Sequence, residues 1–161
     1  MRKIDRLLQK YGESHQTTFN KNIHFVCVPA IVFSLLGLLY CVPLANLFAS
    51  FIGEPWLQHA NLATALVIFG IIYYATLSIR LMIIMALASV FSLYLISVID
   101  KSQIAPLWVL MSILFVIAWV VQFIGHQHEG KKPSFIEDLQ FLMIGPAWTL
   151  SHFFNRVGIR F

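Results

Sequence analysis

From Asn61 to Ile99 the chain carries a single charged residue, Arg80. As one helix, this stretch would far exceed the ~20 residues that cross the hydrocarbon core of a bilayer. A tight turn at Arg80 resolves it into two spans, about 61–79 and 81–99. Two other runs have the same length and character. One covers about His24 to Val42 and is closed by Pro43. The other covers about 106–124, and Pro106 suits its first helical position, where a missing N–H costs nothing.

Composition points the same way. Charged residues make up 11% of the 161 and hydrophobic ones 59%, whereas a soluble domain is roughly 25% charged. So few charges cannot clothe a water-facing surface. The predicted class is an all-α, multi-span helical membrane protein: one membrane-embedded domain over 1–161 with about four transmembrane helices. Before the first span, Ile4, Leu7, Leu8 and Tyr11 share one helical face. This amphipathic N-terminal segment either lies on an anionic membrane surface or packs against the protein's own helices. Because it is charged and precedes any apolar run, it is not a signal peptide. Near the C-terminus, 135–154 hold a weaker segment, interrupted by Gly145-Pro146. Its apolar part, Leu139 to Leu150, is too short to span, which predicts a re-entrant or interfacial helix.

The net charge of +4 does not indicate nucleic acid, because no basic, aromatic-interleaved face accompanies it. The N-terminal segment, Arg80, Lys131, Lys132, Arg156 and Arg160 hold ten of the eleven Lys and Arg residues. By the positive-inside rule, that asymmetry places both termini in the cytoplasm.

The same topology brings His15, His24, His126 and His128 to one side of the membrane. His152 joins them if the last segment is re-entrant or interfacial, and His59 lies opposite. On one continuous helix, His15 and His24 would point about 180° apart at 100° per residue. They converge only if the chain turns between them, and the run QTTFNKN permits this, with Asn20 suited to a turn or cap. His126 and Glu129, at i and i+3, share a face if the helix continues, and His128 then points elsewhere. Gly125 and Gly130 equally permit a helix end here. Imidazoles with a carboxylate and few thiols suit iron, zinc or copper, and two or three histidines with open positions match non-haem Fe(II) oxygenases. Spacing does not choose iron over zinc. The bland reading makes each histidine a tolerated interfacial residue, as for His59, gives Lys131 and Lys132 to lipid head groups, and makes Asp138 a helix N-terminal charge. No HExxH, CxxC pair, GxSxG or phosphate-binding loop is present.

Together, YGESHQTTFNKNIHFVCVPAI and WVVQFIGHQHEGKKPSFIEDLQFLMIGPAW resemble the Mpo1-like family, which includes an endoplasmic-reticulum 2-hydroxy fatty acid dioxygenase and many small bacterial membrane proteins. The resemblance implies an enzyme that uses Fe(II) and O2 to shorten 2-hydroxy fatty acids by one carbon. His15, His24 and His126 match the family's histidines and are the implied metal ligands. Glu129, His128 and His152 are further candidate donors, although both of these histidines depart from the usual pattern. Asn20, Glu129, Lys132 and Asp138 match other motif positions and are the candidate catalytic residues, as do Pro133 and Pro146, which are not. The expected partners are a long-chain 2-hydroxy fatty acid, O2 and membrane lipid, with Lys131 or Lys132 attracting the substrate's carboxylate. The expected location is a bacterial inner membrane, or the endoplasmic reticulum in a eukaryote. Two rivals stand beside this reading: a lipid hydroxylase of another substrate, and a small metal-handling transporter or assembly factor. The transporter gains only if Arg80 lies within the membrane.

Overall fold

The computed structural model describes residues 2–13, 15–51, 53–57, 59–128 and 141–156. The helices are α1 (Lys3–Gly12), α2 (Thr18–Tyr40), the short α3 (Ala45–Phe48) and α4 (Glu54–Leu57), α5 (Leu62–Ala75), α6 (Ile79–Ser102), α7 (Leu107–His128) and α8 (Ile144–Arg156). Among the described residues there is no strand beyond an isolated bridge between Pro43 and Asn61. Three helices, α2, α6 and α7, are long and apolar enough to cross a membrane, while α5 is a shorter apolar helix. The second predicted span is therefore trimmed to 14 residues, about 21 Å at 1.5 Å per residue.

Capping explains the trimming. The turn falls at Thr76–Ser78, upstream of Arg80. Thr76 Oγ1 donates to the Tyr73 carbonyl, and Ser78 caps α6 by accepting from the Leu81 N–H. Arg80 thus stands exposed in the first turn of α6. At its other end α6 runs past the predicted boundary, takes in Asp100 and Lys101, and stops at Gln103, whose φ of 52° is left-handed. Asn61 caps α5, accepting from the Thr64 N–H at 3.0 Å. Its replacement by alanine is expected to cost about 1 kcal/mol, read as a lowered melting temperature in detergent.

The chain divides into two compact units, Met1–Val32 with Leu114–Phe161, and Phe33–Ile113. In the second, α5 and α6 form a packed hairpin. Ala63, Val67, Gly70 and Tyr74 are the buried residues of α5, recurring at i, i+4, i+7 and i+11 as one helical stripe. Outside that stripe, Ile68, Phe69, Ile72, Leu87, Phe91 and Tyr94 are exposed. On a soluble protein so large an apolar patch would mark a binding surface; on candidate spans it is the surface that lipid covers.

In the first unit, α1 packs on α8. Ile4 and Tyr11 are buried, so this amphipathic face is directed at the protein's own helices. The first part of α2 runs antiparallel to the last part of α7. Asn20 meets Gly125, His24 meets His126, and Ile31 packs with Ala118 and Trp119. A Cβ on Gly125 would lie 2.5 Å from Asn20 Oδ1, so the missing side chain permits the close approach. Gly145 and Pro146, predicted to interrupt a segment, instead open α8, where a proline in the first turn breaks no helical hydrogen bond.

Candidate metal centre

The chain turns between His15 and His24, as their convergence requires. His15 sits in the connection between α1 and α2, and His24 in the second turn of α2. The turn is made at Thr17, whose Oγ1 accepts from the Asn20 N–H. Asn20 itself is helical and fully buried, not the turn or cap residue that its type suggested. His126 arrives from the last turn of α7.

The three rings meet. Centroid separations are 4.1 Å for His15 and His24, 4.8 Å for His24 and His126 and 5.3 Å for His15 and His126. All three residues are at most 4% exposed. One ligating nitrogen from each lies within 4.8 Å of the others.

Hydrogen bonds fix which nitrogen faces the centre. His15 Nδ1 is 2.7 Å from the Tyr11 carbonyl oxygen, and His24 Nδ1 is 3.0 Å from that of Asn20. A carbonyl oxygen only accepts, so each Nδ1 carries the proton and donates it. In the neutral ring, the lone pair then belongs to Nε2. The Nε2 atoms of all three histidines are buried, and that of His24 has no hydrogen-bond partner among the described residues. Backbone carbonyls that orient ring nitrogens in this way are the usual outer support of metal-bound histidine. Two nitrogens bound to one ion at ~2.1 Å can be no more than ~4.2 Å apart. That limit is reached only in a linear arrangement and falls to ~3.4 Å at the tetrahedral angle, so the widest separation, up to 4.8 Å, needs an inward movement of about 0.6–1.4 Å. The donor set fits a transition-metal ion, and the negative end of the α7 dipole at His126 favours a cation there.

Aromatic rings seal the centre. Tyr11 stacks on His15 with centroids 4.4 Å apart, and Trp148 of α8 lies 5.3 Å from the same ring. A second, more open face is lined by Gly12, Glu13, His15, Lys21, Trp148 and His152, which gives a polar mouth with a cation at its edge. Lys21, Tyr11 and Trp148 were not among the candidate residues from sequence. Tyr11 was legible as the residue four before His15, the register from which its carbonyl reaches the ring.

The remaining candidates fall elsewhere. His128 extends α7 but is exposed, its ring 4.6 Å from Phe19. His152 donates from Nδ1 to the Trp148 carbonyl at 3.1 Å and packs on the Trp148 ring, outside the group of three. Glu129, Lys131, Lys132, Pro133 and Asp138 lie outside the described residues. His128→Ala is expected to leave bound metal at the native level, measured by elemental analysis of the purified protein.

A model of the Mpo1-like family, described as 2-hydroxy-palmitic acid dioxygenase Mpo1-like, matches residues 1–157. No curated protein and no solved structure matches the chain.

Proposed function

Since the chain belongs to the Mpo1-like family, we propose that it is a membrane-embedded dioxygenase that shortens long-chain 2-hydroxy fatty acids by one carbon, with Fe(II) held by His15, His24 and His126. The observation that carries this reading is the buried meeting of three imidazoles, two of them pinned so that Nε2 faces the centre. The overall conversion balances without a further reductant. A 2-hydroxy acid and O2 give the acid one carbon shorter, CO2 and water, and the four electrons O2 takes up come from the substrate. A 2-oxo acid cosubstrate is therefore unnecessary.

The bound ion would supply a Lewis-acidic centre with open positions for the substrate's carboxylate and 2-hydroxyl and for O2. The chain's own residues do the rest. Tyr11 and Trp148 hold the His15 ring and keep water from its faces. Lys21, at the polar mouth, attracts a carboxylate, and Lys132 from the adjacent motif does the same. Glu129 is the candidate fourth donor, while Asn20, through its carbonyl, orients His24. Asp138 is a further candidate catalytic residue. Positive charge at the N-terminal segment favours a cytoplasmic placement of the site in an inner membrane.

The transporter alternative draws no support from Arg80, which stands at the end of a candidate span. The deciding experiment is purification without oxygen, metal analysis, then O2 uptake with 2-hydroxypalmitic acid. Iron, with substrate-dependent uptake lost in His126→Ala and kept in His59→Ala, is the expected result. Zinc, or an unchanged rate in His126→Ala, would overturn the reading.

A further inference from the structure

Each of the three histidines has a neighbour four residues away that lines one and the same cleft. These are Tyr11 before His15, Val28 after His24 and Gln122 before His126. Ile31, Val32 and Trp119 continue the wall. The cleft therefore lies one to two helical turns from the histidines along the antiparallel α2 and α7, about 6–12 Å at 1.5 Å per residue. Its wall is mostly hydrocarbon and aromatic, and with a volume of only about 20 Å³ it is a shallow strip along which an acyl chain could lie, not a cavity that encloses one.

Gln122 does not fit that description. It is 3% exposed, it lines the cleft, and its Oε1 has no hydrogen-bond partner among the described residues. A buried amide left unsatisfied is costly, and leucine or methionine would fill the space without that cost. A carboxamide both donates and accepts, and so does a hydroxyl.

We infer that Gln122 is the positioning residue that reads the substrate's 2-hydroxyl, accepting its proton at Oε1 while the acyl chain lies along Val28, Ile31, Val32 and Trp119. This rests on the 2-hydroxy acid reading above and adds a source of selectivity to it. An acid without the hydroxyl leaves Oε1 unsatisfied and is rejected for that reason. Sites built to hydrogen-bond a hydroxyl discriminate far better against its absence than apolar pockets do against an extra group.

The test compares 2-hydroxypalmitic and palmitic acid by equilibrium competition on the iron-loaded, full-length protein in detergent without oxygen. The native protein is expected to prefer the hydroxy acid by roughly tenfold or more. Gln122→Leu and Gln122→Met are expected to lose most of that preference, keeping only what chelation of the 2-hydroxyl at the metal supplies, through weaker binding of the hydroxy acid alone, with iron content and helicity unchanged. In turnover, the KM for the hydroxy acid should rise more than kcat falls. A native-like preference in either variant, or no preference in the native protein, overturns the role of Gln122. A native protein that binds no iron and takes up no O2 overturns the dioxygenase reading instead, so the two failures are distinguishable.

Discussion

His24→Ala is expected to lose stable iron binding and to lower substrate-dependent O2 uptake at least ~100-fold, because even the outer supports of a metal ligand are worth 10–100-fold. His24 is central to the cluster: its ring is the nearer neighbour of both other histidines. Its Nδ1 bond to the Asn20 carbonyl is internal to α2, so removing the ring leaves the helix intact while deleting the donor. Helicity by circular dichroism should therefore be native, while elemental analysis shows the loss. His59→Ala, at an exposed turn ahead of α5, should change neither. Retention of stoichiometric iron in His24→Ala would show that the ion is held elsewhere.

Gly125→Ala is expected to act on the same centre through packing. The added Cβ would lie 2.5 Å from Asn20 Oδ1 and 3.3 Å from two carbons of Ile23. Both are side chains of α2 at its crossing with α7, and such overpacking costs about 1–3 kcal/mol. His126 is the next residue, so whatever movement relieves the collision also moves one of the three clustered imidazoles. Displacements of about 1 Å suffice to cost ~100-fold in catalysis. The expected result is a lowered melting temperature together with a loss of iron greater than tenfold. Adding Asn20→Ala removes the oxygen in the way and should restore part of the melting temperature. If Gly125→Ala instead melts and binds iron like the native protein, α7 does not depend on that close approach.

The helical membrane class was legible because lipid imposes a coarse rule: backbone groups must be satisfied within each segment, so long apolar runs become helices. Element ends were less legible because short-range hydrogen bonds set them. Ser78 caps α6 and moves the turn away from Arg80, although a lone arginine is the louder signal in the sequence. Thr17, not Asn20, begins α2, since a threonine one residue outside the helix can reach the Asn20 N–H. Gly145-Pro146 read as a break but begin a helix, because proline is permitted in a first turn. Although spacing alone left them open, His15, His24 and His126 were singled out by the family motif. Their support was not, because carbonyl partners and stacked rings leave little trace in residue type. Gln122 had one available signal. It is an uncharged amide one turn from His126, in a span read for charged residues only.

His15 lies just before α2 and His24 in its second turn, while His126 comes in the last turn of α7, about 100 residues later. No part of the chain synthesised before α7 holds all three donors. The three donors therefore come together late in biogenesis, only once α7 has found α2. A truncated or half-inserted chain carries no complete cluster of three histidines. On the reading proposed above, bound metal would report complete assembly of this unit.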